Sequence, residues 1–409
     1  MPASIFQSRP FISLLIYRLC VVLCAQITAV VVGWQIYELT HDKLALGLIG
    51  LAEVVPYFAS ALFAGYAVDH YNKRRLGLLA CTLLLLMGVV LAVFSTTGSR
   101  TTWPIYSAIA LSGVARSLLS PVFTTLMAEL IPREDYARAA GVSATVLQAA
   151  QILGPAIGGG LLAFGNVTIA YSATIVFALI AISALLVLRI APRTTHTHLN
   201  SPELSAIFSS IAQGLRFVRG HQVLFSALML DMLAVLFGGA MALLPAFVSD
   251  VLHQGPQTLG LLRAAPAIGA IVMGIYLSRN SINRHAGKIL LAAVAAFGLC
   301  MMGFALSTEL WLSFAFLAGS GLFDSVSVVL RSTIMQLSTP DEMRGRVSSI
   351  SGIFIGSSNE LGAFESGLAA SWLGLVPSVV AGGAVTLLVV AVTARLAPQL
   401  RRLHISDLW

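Results

Sequence analysis

Charged residues inside long apolar stretches are the part of this sequence that could do chemistry. They comprise five carboxylic acids and three arginines: Glu53, Arg116, Asp231, Arg263, Asp324, Arg331, Glu360 and Glu365. A charged side chain at membrane depth costs about 2.5–3.5 kcal/mol on insertion scales, so it usually faces a protein interior and serves a function. These residues are therefore candidates for binding protons, ions or polar substrates.

Proton transfer is the first chemistry that these carboxyl groups could perform. A carboxyl group held among apolar groups favours its protonated form, whereas one beside an arginine stays ionised. The histidines all lie in loops or at the ends of apolar stretches, so carboxylates are the expected proton carriers. We expect Glu53 and Asp231 to be the best candidates, followed by Glu360 and Glu365.

The elements that must position these residues are membrane spans. Of the 409 residues, 57% are hydrophobic and only 10% are charged, whereas a soluble domain carries about 25% charged residues. A helix needs about 20 apolar residues to cross a bilayer. The sequence predicts twelve such spans, near 11–39, 46–69, 76–97, 104–130, 142–164, 168–188, 223–249, 258–278, 288–307, 310–337, 350–373 and 376–397. This composition argues against a soluble enzyme and predicts an all-α integral membrane protein.

The charges of the loops predict the orientation in the membrane. Cytoplasmic loops are enriched in lysine and arginine. With a cytoplasmic N-terminus, the inner loops hold nearly all of the loop lysines and arginines, and the outer loops hold only Lys43 and Arg100. We therefore expect both termini to face the cytoplasm. The basic residues are not interleaved with aromatic residues, so the net charge of +7 does not indicate nucleic-acid binding.

The two halves of the sequence resemble each other. Residues around the fourth span recur 208 positions later: Gly113, Met127, Pro132, Glu134 and Arg138 match Gly321, Met335, Pro340, Glu342 and Arg346. In the same register Arg116 aligns with Asp324, and at a shift of 210 Glu53 aligns with Arg263. The repeat predicts two pseudo-symmetric six-helix bundles, an arrangement common among transporters.

A polar linker, residues 190–222, separates the bundles predicted over 1–189 and 223–409. It contains Ser201-Pro202-Glu203, which is typical of a helix start. Apolar residues then follow at helical spacing: Leu204, Ile207, Phe208, Ile211 and Leu215. We expect an amphipathic helix here, lying on the inner leaflet.

Residues 65–75, at the inner end of the second span, read GYAVDHYNKRR. Four of them fit the pattern G-x-x-x-D-R-x-G-R-[KR]: Gly65, Asp69, Lys73 and Arg74. His70 and Asn72 depart from it. On these residues the sequence resembles the major facilitator superfamily, and the resemblance implies that this loop latches one conformational state. The alternative is a basic anchor that merely holds the loop in the cytoplasm.

The fifth span carries a second motif, with spacing G-x12-G-P-x2-G-G. Its residues are Gly141, Gly154, Pro155, Gly158 and Gly159. The motif is similar to the antiporter motif of the superfamily, which implies exchange of a substrate for protons; Ala150 stands where that motif has a further glycine. The alternative is ordinary close packing of small residues between helices.

The resemblance also implies a fold and a site. In that fold helices one, four, seven and ten line a central cavity, which places Arg116, Asp231, Asp324 and Arg331 along it. Static ion pairs between helices are the alternative role for these charges. A channel and a transport-silent sensor are alternatives from other functional classes.

Further matches cover nearly the whole chain, including Trp34-to-Thr40 and the run from Thr339 to Arg346. They are similar to the branch that includes the enterobactin exporter and related siderophore or drug exporters. We therefore expect a monomeric proton antiporter of a bacterial inner membrane that exports a small molecule, a siderophore or related metabolite. A multidrug/proton antiporter for amphipathic cations is the alternative. No cofactor, metal ion or enzymatic activity is expected.

Overall fold

The computed structural model describes residues 8–188, 204–280, 282, 284–340 and 343–405. Across these residues the chain is helical and contains no strand. The helices of the first half are α1 (Arg9–Thr40), α2 (Lys43–His70), α3 (Lys73–Thr96), α4 (Trp103–Leu130), α5 (Tyr136–Phe164) and α6 (Val167–Val187). Those of the second half are α7 (Leu204–Gly220), α8 (Gln222–Gly238), α9 (Leu244–Asp250), α10 (Pro256–Arg279), α11 (Ala286–Leu306), α12 (Leu310–Ser338), α13 (Arg344–Leu373), α14 (Leu375–Leu396) and α15 (Pro398–Arg402).

Local sequence sets where these helices begin. The side chain of Ser8 accepts a hydrogen bond from the backbone of Phe11 at 3.4 Å, with Pro10 in the first turn of α1. Asn72 and Asn166 cap α3 and α6 in the same way. Each cap satisfies a backbone N–H that has no partner within the helix. Between the caps, the helix satisfies its own backbone, which a lipid environment requires.

Among the described residues, eleven helices are long and apolar enough to cross a membrane. The expected seventh span is one of them, and it is interrupted between Gly238 and Leu244, so that α8 and α9 together form it. The expected eleventh span, 350–373, lies within α13, which is not among the eleven. The sequence of α13 has a polar centre, Ser357 to Glu360. The count of twelve spans therefore stays a prediction.

The linker contains the helix α7, from Leu204 to Gly220. Its C-terminal half packs on α13, where a Cβ at Gly214 would lie 3.2 Å from the carbonyl oxygen of Arg346. Val218 is buried with Val347 and Ile350 of the same helix. The predicted helix start at Ser201-Pro202-Glu203 lies outside the described residues, as does the rest of 189–203. Contact with the inner leaflet stays a prediction.

The chain divides into two compact units. The first contains residues 1–192 and 242–264, and the second contains 193–241 and 265–409. Residues 242–264 thus pack with the first unit, and a Cβ at Gly159 of α5 would lie 2.6 Å from the carbonyl oxygen of Pro256. The domain bounds expected from the sequence stay a prediction.

Each unit contains the same two helix contacts. In the first, α2 crosses α4 at Gly113, where a Cβ would lie 2.3 Å from the carbonyl oxygen of Glu53. In the second, α10 crosses α12 at Gly321, where a Cβ would lie 1.9 Å from that of Pro266. Likewise, a Cβ at Gly88 of α3 would meet the buried Thr174 of α6, and one at Gly298 of α11 would meet the buried Thr386 of α14. The crossing glycines of α4 and α12 are 208 positions apart, as the sequence repeat predicts, and those of α3 and α11 are 210 positions apart.

Candidate functional site

The first unit contains an ion pair between α2 and α4. Arg116 Nη1 lies 2.6 Å from Glu53 Oε1, and the hydroxyl of Ser112 donates to the same oxygen at 3.4 Å. The Glu53 side chain is 17% exposed and that of Arg116 is 42% exposed. The crossing at Gly113 brings these side chains together, because it lets the two backbones touch between them.

The second unit contains an ion pair between α8 and α12. Arg331 Nη1 contacts Asp231 Oδ2, and each side chain is only 8% exposed. Arg331 Nε also donates to the hydroxyl of Ser327, one turn earlier on α12, at 3.2 Å. Buried charges are tolerated when they are paired and hydrogen-bonded in this way.

Two of the candidate proton carriers lie in these pairs. Glu53 and Asp231 each contact an arginine of a neighbouring helix. Their role as proton carriers stays a prediction.

Asp231 and Arg331 line a cavity of about 320 Å³ in the second unit, together with Asp324. Asp324 and Arg331 lie seven residues apart on α12, two turns along one face of the helix. The other lining residues come from α8, α12 and α13: Leu228, Val235, Val328, Ser332, Met335, Ser351, Ile355, Ser358 and Asn359. Within the described part of its own unit, Asp324 makes no hydrogen bond and no ion pair.

The remaining candidate carboxylates lie on α13. Glu360 and Glu365 are both partly buried, and neither lines the cavity. Arg116 and Asp324 belong to different units. Their expected position along one central cavity therefore stays a prediction.

Arg18 on α1 is a further charged residue within an apolar helix. Its guanidinium lies 4.0 Å from the ring centroid of Phe123 on α4, and its Nε is buried with no hydrogen-bond partner among the described residues. Phe123 stands 208 positions before Arg331, and a shift of 213 aligns Arg18 with Asp231. A cation–π contact in the first unit thus occupies the place of an ion pair in the second. Alignment of spans one and seven would have revealed it.

The proposed latch loop joins α2 to α3. Lys73 Nζ lies 3.2 Å from Glu129 Oε1 at the end of α4, and Arg74 Nε donates to the carbonyl of Leu185 at 2.8 Å. Arg74 thereby supplies a donor at the C-terminal end of α6, where carbonyl groups lack partners. The surroundings of Gly65 and the side chain of Asp69 lie outside the described part of the structure.

The glycines of the antiporter motif differ in their surroundings. A Cβ at Gly154 would lie 2.4 Å from the Cβ of Gln26, and one at Gly158 would lie 3.3 Å from the Cα of Ile27, both on α1. Gly159 packs against α10, whereas Gly141 has open space around it. Pro155 is buried inside α5. The motif therefore brings α5 into close contact with α1 and α10.

Residues 242–264 also contribute polar contacts to the first unit. The hydroxyl of Tyr37 on α1 donates to Asp250 Oδ2 at the end of α9. Arg263 Nη1 on α10 donates to the carbonyl of Ala29 on α1 at 3.4 Å. Among the described residues, no group of three or more His, Cys, Asp and Glu side chains is placed to hold a metal ion.

Comparisons with known proteins identify the family of this chain. Residues 14–363 match the Major Facilitator Superfamily. The chain is 26% identical over 393 residues to the multidrug efflux pump Tap of Mycobacterium tuberculosis, covering 91% of this chain and 92% of that protein. It is 23% identical over 348 residues to the enterobactin exporter EntS of Salmonella choleraesuis, covering 85% and 82%.

Solved structures show the same fold. The crystal structure of a D-xylose–proton symporter superposes with a TM-score of 0.73 at 13% identity, covering 97% of this chain and 100% of that chain. A bacterial homologue of the human lysosomal transporter Spinster superposes with a TM-score of 0.75 at 14% identity, covering 97% and 99%. At these identities the likeness concerns the fold alone.

Proposed function

Because this chain belongs to the Major Facilitator Superfamily, and is thus a membrane transporter, we propose that it exports a small molecule from a bacterial cell in exchange for protons. The transport cycle would be one of alternating access across the inner membrane. The protein would work as a monomer, with both termini in the cytoplasm.

The observation that carries the proposal is the charged cavity of the second unit. Asp231, Asp324 and Arg331 meet there at membrane depth, where charge is expensive unless it is used. The close packing of Gly154 and Gly158 on α1 supports a role for the antiporter motif, because a helix with this many small residues is otherwise poorly stable. Lys73 and Arg74 support a loop that ties helix ends together on the cytoplasmic side.

Proton coupling is proposed to act through the ion pairs. Glu53 and Asp231 each form an ion pair with an arginine. A substrate or a conformational change that separates the pair leaves a carboxylate without a counter-charge, and such a group takes up a proton. Glu360 and Glu365 are further candidates for the same step.

Two substrate classes are proposed. A siderophore or related metabolite is suggested by the likeness to an enterobactin exporter. An amphipathic cation is suggested by the likeness to a multidrug efflux pump, and the excess of carboxylates over arginines in the cavity favours it.

Everted membrane vesicles with an imposed pH gradient, acid inside, test the proposal. A catecholate siderophore and a lipophilic cation are offered in parallel, and we expect one of them to accumulate and to drive proton release. Asp231→Asn and Glu53→Gln should uncouple the two fluxes, whereas Glu309→Gln, which removes an exposed carboxylate at the start of α12, should not. Unchanged proton release in variants of all four candidate carboxylates would contradict proton coupling through them.

A further inference from the structure

We infer that the cavity of the second unit binds an organic cation, with the carboxylate of Asp324 as its counter-ion. The inference rests on the proposed function, because it names the chemical class of the exported molecule. It selects an amphipathic cation over an anionic siderophore.

The first argument is the charge balance of the cavity. Asp231 and Arg331 compensate each other, and Ser327 accepts a further hydrogen bond from the guanidinium. Asp324 lines the same cavity but makes no hydrogen bond or ion pair with the described residues of its unit. With its carboxylates ionised, the cavity carries one net negative charge. Arg331 attracts both carboxylates, but its single positive charge compensates only one of them. A cationic ligand that neutralises the excess negative charge therefore binds favourably.

The second argument is the rest of the lining. Apolar side chains make up much of it, among them Leu228, Met335 and Ile355, and Met adapts its shape to different ligands. Hydroxyl and amide groups of Ser351, Ser358 and Asn359 add polar contacts. The volume of about 320 Å³ lies at the lower end of ligand pockets, which span about 300–1,000 Å³.

This lining suits an organic cation better than a bare metal ion. Divalent metal ions need a shell of several oxygen ligands at short, fixed distances. The described residues of the cavity offer one uncompensated carboxylate among hydroxyl, amide and apolar groups. An apolar molecule with one positive charge can use all three kinds of surface at once.

The third argument comes from the equivalent positions of the first unit. Arg116 stands where Asp324 stands, and it is paired with Glu53 at 2.6 Å. Arg18 stands where Asp231 stands, and it packs on a phenyl ring. A carboxylate required by the fold would be expected at both equivalent positions. At these two pairs of equivalent positions, carboxylates are found only in the second unit, as Asp231 and Asp324. This difference indicates a role in recognising a ligand.

The test uses two probes of equal size and opposite charge, tetraphenylphosphonium and tetraphenylborate. Their binding to the purified full-length protein in detergent is measured for the wild type, Asp324→Asn, Asp324→Glu and the control Glu309→Gln. We expect the wild type and Glu309→Gln to bind tetraphenylphosphonium in preference to tetraphenylborate. Removal of a charge about 6 Å from the cation should weaken binding by about 10- to 100-fold in Asp324→Asn. Asp324→Glu keeps the charge and should keep most of the affinity, which separates loss of charge from misfolding.

Two outcomes overturn the inference: Asp324→Asn that binds tetraphenylphosphonium as tightly as the wild type, or a wild type that prefers tetraphenylborate. Transport in everted vesicles separates the inference from the proposed function. Asp324-dependent binding of tetraphenylphosphonium without its pH-driven transport supports the site and contradicts the export function. Export of an anionic siderophore that Asp324→Asn leaves unchanged contradicts the site and supports the export function.

Discussion

Replacement of Gly321 by alanine should destabilise the second unit, because α12 and α10 touch through their backbones at this position. The new Cβ would lie 1.9 Å from the carbonyl oxygen of Pro266 and 2.5 Å from its Cα, whereas ordinary contact begins at 3.4 Å. The helices must therefore separate locally by about 1.5 Å. Overpacking of this kind costs about 1–3 kcal/mol, and the better helix propensity of alanine returns about 1 kcal/mol. We expect a net loss of about 1–2 kcal/mol in the free energy of unfolding. A backbone carbonyl group cannot move aside as a flexible side chain can.

Thermal unfolding of the detergent-purified protein, followed by size-exclusion chromatography, measures this loss. A decrease of about 2–8 °C in the unfolding temperature corresponds to it for a unit of some 200 residues. Gly274→Ala is the matched control, because Gly274 lies on α10 and its Cβ would have nothing within 4 Å. It should leave the unfolding temperature unchanged or raise it. Equal unfolding temperatures for Gly321→Ala and Gly274→Ala would refute the reasoning from backbone contact.

Two further predictions concern polar contacts. Arg331→Met leaves the buried carboxylate of Asp231 unpaired and should lower the free energy of unfolding by about 3–5 kcal/mol. The double variant Arg331→Met/Asp231→Leu should recover most of this loss. Equal unfolding temperatures for the single and double variants would contradict this pairing energy. Tyr37→Phe removes a hydrogen bond to the exposed Asp250, at an expected cost of about 1 kcal/mol, and should speed hydrogen exchange along α9. Tyr106→Phe, which removes a hydrogen bond to α2 instead, is its control, and similar exchange along α9 in both variants would argue against the contact.

The fold could be predicted from the sequence because its two determinants, the apolar length of each helix and the repeat of the first half in the second, can be read directly from the order of residues. Apolar length predicts spans, and the recurrence of Gly113 as Gly321 predicts where a pair of helices crosses in each half. A glycine at a crossing is needed for the backbones to touch, so the sequence repeat carries a packing contact with it. The placement of Asp324 and Arg331 on one wall follows from helical periodicity in the same way.

The partners of the charged residues could not be predicted. Repeat alignment relates Glu53 to Arg263, but the contact of Glu53 is with Arg116, which depends on how α2 and α4 cross. Periodicity along one helix contains no information about the facing helix, so a carboxylate that looks isolated in sequence can lie against an arginine in space. The packing of 242–264 with the first unit likewise depends on a close approach between Gly159 and Pro256, which the sequence pattern does not contain.

The reversal of charge at equivalent positions has a consequence for the origin of this chain. Arg18 and Asp231, Glu53 and Arg263, and Arg116 and Asp324 are opposite in sign. A duplicated ancestor with identical halves would have carried the same charge at both members of each couple. A chimera built from two copies of the first half would therefore contain the Glu53–Arg116 pair twice and would have no counterpart of the Asp231–Arg331 pair.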